Sequence, residues 1–343
     1  MGRNESRRPT ISARDLVKVF RTPTRFPGRF GSLRTLFTRT YTERRAVDGV
    51  SFSIDQGELV GYLGPNGAGK STTVKMLTGI LEPTRGSAEV AGIVPWQRRQ
   101  QNSLNIGVVF GQRSQLWWDL PLIESFELVG QMYGVEPARY RVNLDRFREL
   151  LALDDFIGTP VRQLSLGQRM RGELTAALLH DPPVVYLDEP TVGLDIVAKE
   201  RIRTFVADMN RERGTTVILT THDLADVERL CSRVILIDRG RVLFDGSVAR
   251  LKATYAPHRE LVVHLDPDGD VPDTKAQIAM AGVEHVTDAG GRLRFRFDPA
   301  VVRAPDLIGE VASRYPIADL SIVEPELEAI VRRLYARPDE AQA

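Results

Sequence analysis

At 343 residues, with 42% hydrophobic and 27% charged residues and a formal net charge of +1, the chain has the make-up of a globular protein with room for two cores. Its one cysteine, Cys231, excludes a disulfide framework, suits a reducing compartment and reads as a small buried hydrophobe. No apolar stretch approaches the ~20 residues that span a bilayer, and the near-neutral charge lacks the basic footprint of a nucleic-acid binder, so no nucleic-acid partner is expected.

The charge is unevenly placed. Residues 1–45 carry 12 Arg/Lys against 3 Asp/Glu, and the rest of the chain carries 34 against 42. A basic arm on a mildly acidic body fits an anionic lipid surface or an acidic partner, or simply a solvated mobile segment. Residues 1–10 are polar and basic, without the apolar run of a signal peptide, and read as a disordered tail. Residues 11–20 read as a first strand. Residues 21–45 break that pattern with seven arginines, two prolines and a helix-like stripe at Leu33, Leu36, Phe37 and Tyr41, which reads as a basic insertion holding a short amphipathic helix. Residues 48–54 alternate as a strand does and end in the turn Asp55-Gln56-Gly57-Glu58.

The apolar run Leu59, Val60, Tyr62, Leu63 then leads into Gly64-Pro65-Asn66-Gly67-Ala68-Gly69-Lys70-Ser71, followed from Thr72 by helical spacing. This is the G-x-x-x-x-G-K-[ST] phosphate-binding loop in its strand–loop–helix context. Its glycines let backbone N–H groups curl round phosphate oxygens, and the helix N-terminus behind the loop adds its dipole. Lys70 is expected to reach the β/γ-phosphates and Ser71 to ligate Mg²⁺.

Three more apolar runs end in polar groups: residues 106–110 before Gln112, residues 184–187 before Asp188-Glu189, and residues 217–219 before His222. Short apolar runs alternating with helical segments point to a parallel sheet, with ligands gathered at the strand carboxyl ends. Val184-Val185-Tyr186-Leu187-Asp188-Glu189 reads as a Walker B strand, with Asp188 near the metal and Glu189 placed to polarise a water. Residues 120–179 are helical in pattern and carry two core stripes. Strands return at residues 234–237 and 241–244, a linker is expected over 248–258, and 259–337 read as a small α/β appendage with strands at 260–265, 283–287 and 293–297 and helices at 304–315 and 326–336.

Leu164-Ser165-Leu166-Gly167-Gln168 resembles the Leu-Ser-Gly-Gly-Gln signature of ABC-transporter ATPases. Gln112, Gly193-Leu194-Asp195 and His222 match that family's Q-loop, D-loop and switch histidine, in family order, over residues 11–247. The resemblance implies a P-loop NTPase core with a parallel sheet, an antiparallel β subdomain and a helical subdomain at about 114–175. It implies ATP and Mg²⁺ as ligands, with residues 64–72 and Phe20 on the nucleotide, and Ser71, Gln112 and Asp188 on the metal. Tyr41 is the alternative to Phe20 for stacking on adenine.

The resemblance also implies a head-to-tail homodimer, or pairing with a second ATPase subunit, in which Ser165, Gly167 and Gln168 of one copy face the phosphate loop of the other. Glu189, His222 and Lys70 would be the catalytic set. Leu166 stands where the family usually has glycine, and altered packing is expected there. Trp117-Trp118, after Gln112, start the helical insert and either form a docking groove for a membrane permease or are buried locally. The Gln-Leu-Trp-Trp-Asp-Leu-Pro run, the basic insertion and the appendage resemble ABC-2-type export ATPases of the drug and viologen branch. The function so implied is ATP-driven export of a small molecule through a separate permease, at the cytoplasmic face of the membrane. An importer ATPase with a regulatory tail, and a soluble ATPase acting on ribosomes or DNA, are the alternatives.

Overall fold

The computed structural model describes residues 9–23, 41–111, 114–266, 280–287 and 292–336. Within it the chain divides into two compact units at Gly246/Ser247.

The first unit is built on a six-stranded sheet. Its strands are β3 (Leu59–Leu63), β5 (Ile106–Phe110), β6 (Val184–Asp188), β7 (Thr216–Thr220), β8 (Arg233–Asp238) and β9 (Arg241–Ser247), in the order β5-β6-β7-β3-β8-β9. The pairings β5/β6, β6/β7, β7/β3 and β3/β8 are parallel. The continuous apolar runs demand this placement, since every residue of β3 and β7 is buried and neither face can meet water. Arg239 and Gly240, both at positive φ, make the two-residue turn from β8 to β9.

A second sheet, of order β2-β1-β4, is antiparallel and consists of β1 (Ile11–Pro23), β2 (Tyr41–Ile54) and β4 (Arg85–Val90). Its inner residues Ile11, Leu16, Val50 and Ile54 share one core with Val60, Tyr62, Tyr186 and Ile235 of the parallel sheet. The expectation of a non-strand insertion over residues 21–45 is corrected at both ends. Strand β1 runs on to Pro23, and β2 begins at Tyr41, with Arg21 opposite Glu43 and Phe20 opposite Arg44. Tyr41 is therefore in a strand, not a helix, and the remaining stripe residues Leu33, Leu36 and Phe37 lie outside the described residues.

Helix α1 (Lys70–Leu77) follows β3, and α2 (Arg99–Leu104) precedes β5. The helical part comprises α3 (Leu122–Met132), α4 (Pro137–Leu151), a short 3-10 turn (Val161–Gln163) and α5 (Leu166–Leu178). Glu136 caps α4 through the N–H groups of Ala138 and Arg139, with Pro137 at the first helical position. Helix α6 (Ile196–Arg213) starts on Asp195, whose carboxylate accepts the N–H of Ala198, and stops on Gly214 in the left-handed region. Phe147 of α4 meets Phe205 of α6 edge-on at 5.8 Å. Helix α7 (Leu224–Leu230) lies between β7 and β8.

The second unit carries α8 (Val248–Tyr255), β10 (Arg259–Leu265), β11 (Val283–Thr287), β12 (Arg292–Phe297), α9 (Ala304–Arg314), β13 (Ile317–Val323) and α10 (Leu327–Ala336). The stretch read as a linker over 248–258 is thus largely helix α8, capped by Ser247 and buried at Leu251. Strand β13 escaped the sequence reading altogether. The sheet order β11-β12-β10-β13, with α9 between β12 and β13, matches the split β-α-β arrangement. Alternate residues Leu261, Val263, Leu293, Phe295 and Phe297 pack under Leu307 and Val311 of α9.

Among the described residues no helix is long and apolar enough to cross a membrane.

Candidate nucleotide site

The site is assembled where β3, β6 and β7 end. The loop after β3 turns into α1 through Gly69, which sits at φ 109° as the helix N-cap. A Cβ at Gly69 would stand 2.5 Å from the carbonyl of Ala46, and one at Gly64 would stand 2.5 Å from the carbonyl of Ile237. At both positions neighbouring backbone packs too closely on the loop for any side chain, so only glycine fits. Lys70 folds back over the loop, donating from Nζ to the carbonyls of Gly64 (2.5 Å) and Pro65 (3.3 Å). Burial pushes its ammonium down from the ordinary value, while Glu189 and Asp188 pull it back up.

Asp188, at the end of β6, accepts the hydroxyl of Thr220 at the end of β7. Glu189 follows at φ 56°, a left-handed conformation that costs a non-glycine residue about 1 kcal/mol. Its N–H donates to the carbonyl of Thr220 at 2.9 Å, which extends the sheet by one rung and holds the turn. The result aims the Glu189 side chain at the imidazole of His222, Nε2 to Oε1 2.5 Å. Behind them, fully buried Asp226 accepts from Thr191 Oγ1 (2.5 Å) and from Arg203 Nε (2.6 Å), tying α6, α7 and the post-β6 turn together.

Two adjoining cavities open here, of about 680 and 480 Å³. Phe20, Ser71 and Glu189 line both. Asp188 lines the larger, and Pro65, Asn66, Gly67, Gly69, Lys70 and Thr72 line the smaller. Gly64 and buried Ala68 complete the loop from behind. Tyr41 lines neither cavity. Gln112 lies outside the described residues. The oxygen donors present, the Ser71 hydroxyl and the Asp188 carboxylate, suit Mg²⁺, which normally takes one or two protein ligands plus substrate phosphates. The described residues contain no cluster of three or more side chains that would hold a metal without such help.

Leu166 lines the larger cavity, while its neighbours Ser165, Gly167 and Gln168 line neither. They form the start of α5. Ser165 Oγ accepts the N–H of Gln168 (3.2 Å), and the Gln168 side chain accepts the N–H of Ser165 (2.8 Å), a closed capping box. Among the described residues the Ser165 hydroxyl has no acceptor for its proton. Leu166 Cδ2 stands 2.9 Å from where a Cβ of Gly193 would be, so the side chain lies against the Gly193 turn of its own chain. Exposed Leu166, Val192, Ile196 and Val197 flank that turn.

The segment after Gln112 is fastened to α5. Buried Glu173 accepts from Ser114 Oγ and from the N–H of Gln115 (3.1 Å), and Gln115 Nε2 returns a bond to the Glu173 carbonyl (3.1 Å). Burial pushes the Glu173 carboxyl up against the pull of those donors. Trp117 and Trp118 remain 37% and 52% exposed, so neither ring is locally buried. Sequence reasoning missed Thr220, Glu173 and Arg44. Thr220 directly follows the β7 apolar run and was the most accessible of the three; Arg44 was hidden in the supposed insertion.

The family model described as "ABC transporter" matches residues 47–192. The Nod factor export ATP-binding protein I of Ralstonia nicotianae is 36% identical over 230 residues, covering 66% of this chain and 67% of that protein. The linearmycin resistance ATP-binding protein of Bacillus subtilis is 30% identical over 305 residues, covering 87% of this chain and 96% of that one. A daunorubicin resistance ATP-binding protein of Streptomyces coeruleorubidus is 36% identical over 253 residues, covering 73% and 78%. Among solved structures, an ATP-binding subunit of an ABC transporter superposes with TM-score 0.60 at 25% identity, covering 72% of this chain and 93% of that one. A dimeric ATP-binding cassette in a post-hydrolysis state with ADP and Pi gives 0.58 at 25%, covering 69% and 98%. On these relationships the chain belongs to the family of ABC-transporter ATP-binding proteins, and it is an ATPase.

Proposed function

We propose that this chain powers export of a small molecule or drug through a separate membrane permease, as a head-to-tail homodimer at the cytoplasmic face. One observation carries the dimer. The cavities hold the phosphate loop, Asp188 and Glu189, while Ser165, Gly167 and Gln168 lie outside them on a helix N-terminus. A lone copy has half of each pocket, and a two-fold related copy supplies the other half. The dimeric state of the similar cassette supports the same reading.

In the closed pair the triphosphate lies on the loop of residues 64–72, with Phe20 stacked on adenine. Lys70 exchanges the carbonyls of Gly64 and Pro65 for the β/γ-phosphates. Ser165 donates its free hydroxyl proton to the γ-phosphate across the interface, with the start of α5 behind it. Ser71 and Asp188, together with Gln112, would hold Mg²⁺, which would supply positive charge to the triphosphate. Glu189 accepts a proton from the attacking water as that oxygen bonds to the γ-phosphorus and the bond to the β-phosphate oxygen breaks, giving ADP and phosphate. His222, hydrogen-bonded to Glu189, orients that carboxylate and reaches the γ-phosphate. Loss of the shared ligand releases the pair, and the bound permease follows.

Export is supported by the Nod factor export and drug-resistance relatives, and the exposed Trp117 and Trp118 give the permease aromatic anchors. The test is a pull-down from membranes in mild detergent with mass-spectrometric identification of partners. A co-purifying multi-span permease is expected. Co-purification with an extracytoplasmic binding protein, or with ribosomes and no permease, overturns the reading.

A further inference from the structure

We propose that Arg44 is a further nucleotide-binding residue, whose guanidinium grips the polyphosphate of the nucleotide held by the phosphate loop. The inference rests on the ATP-site reading above and extends it to the β1–β2 hairpin.

The strand register places Arg44 directly opposite Phe20, and Thr42 opposite Thr22. Side chains alternate along a strand, so Arg44 and Ala46 share the face that Phe20 and Thr22 present to the smaller cavity, and all four line it. The neighbours on either side point the other way and are neutralised: Arg21 pairs with Glu43 at 2.9 Å, and Arg45 with Asp48 at 2.8 Å. Arg44 makes no ion pair or hydrogen bond among the described residues. Its Nη2 stands 3.6 Å from where a Cβ of Gly67 would be, over the middle of the phosphate loop.

An unpaired guanidinium aimed at a backbone cradle for phosphate has one fitting ligand chemistry. Its fork of donors matches two phosphate oxygens at once, and its charge answers a polyanion. The cavity's other wall contributes the Glu189 carboxylate, so a cation on the hairpin side also offsets repulsion between that group and the incoming phosphates. Lys70 contributes its charge from the loop side, where its ammonium lies on the Gly64 and Pro65 carbonyls, and Arg44 contributes from the hairpin side. Extension of β1 and β2 beyond the sheet core is what brings Arg44 over the loop.

The experiment is calorimetric titration of MgATP and MgADP into the full-length wild type and into the variants R44Q, R44K and K70A, at low and high salt, with thermal melts as the folding control. Arg44 is exposed, so R44Q is expected to melt with the wild type. R44Q should bind both nucleotides about tenfold more weakly, as loss of one charge-assisted contact implies, with a shallower salt dependence, and R44K should recover part of the affinity. K70A separates the two ideas. If K70A abolishes binding and R44Q binds both nucleotides as the wild type does, Arg44 is no ligand and the phosphate-loop reading stands. If K70A also binds normally, the nucleotide-site reading itself fails and this inference falls with it.

Discussion

His222 Nε2 lies 2.5 Å from Oε1 of Glu189, and Glu189 is held in a left-handed backbone conformation by the rung its N–H makes with the Thr220 carbonyl. The strained turn and the imidazole together fix one carboxylate oxygen and leave the other for water. Glu189→Gln keeps the shape and removes the base. It should bind MgATP with near wild-type affinity while kcat falls about 10²–10⁴-fold, the usual span for a general base. His222→Ala should lower kcat within the same range and leave KM little changed. Unchanged turnover in Glu189→Gln would remove that residue from the chemistry. Steady-state phosphate release, with calorimetric binding alongside, reads both.

Lys70 is buried and bonded to the carbonyls of its own loop. Lys70→Ala should abolish measurable MgATP binding. Thermal melts of the variant serve as the folding control. A Lys70→Ala variant that folds and binds MgATP normally contradicts the phosphate-loop assignment.

His180 gives a pH-dependence away from the chemistry. Its ring stacks on Tyr133 at 3.9 Å, and Nε2 donates to the Ile106 carbonyl at 3.1 Å in the neutral form. Burial lowers its pKa from 6.5 to about 4. A histidine depressed in the folded state lends its stability fully above pH 6.5 and loses it as pH falls from 6.5 towards 4. The shift corresponds to about 3 kcal/mol across that window. The melting temperature should therefore drop over this range in the wild type, and drop less in His180→Phe, which keeps the ring stack and cannot protonate. Equal pH slopes for the two proteins would contradict this role.

The fold was legible in the sequence where burial on both faces writes continuous apolar runs, as in Leu59–Leu63, Val184–Asp188 and Thr216–Thr220. It was illegible where a strand is exposed. Residues 41–45 of β2 are all exposed and mostly charged or hydroxylic, so no alternation appears, and only pairing with β1 reveals a strand. Strand β13 is likewise mostly exposed and lies at a sheet edge. Helix α8 did carry a signal, the Ser247 cap, but its eight residues are too few for a firm period. Within the site, the loop, Asp188, Glu189 and His222 were readable because each follows a buried strand. That Leu166 lines the larger cavity while Ser165, Gly167 and Gln168 line neither depends on tertiary placement that no local pattern encodes.

Specific ATPase activity measured against protein concentration probes the shared pocket most directly. If two copies complete each other's sites, activity per chain rises with concentration from near zero to a plateau, and the Glu189→Gln protein with ATP elutes at twice the monomer mass. Constant activity per chain down to concentrations at which light scattering shows only monomer would contradict the account.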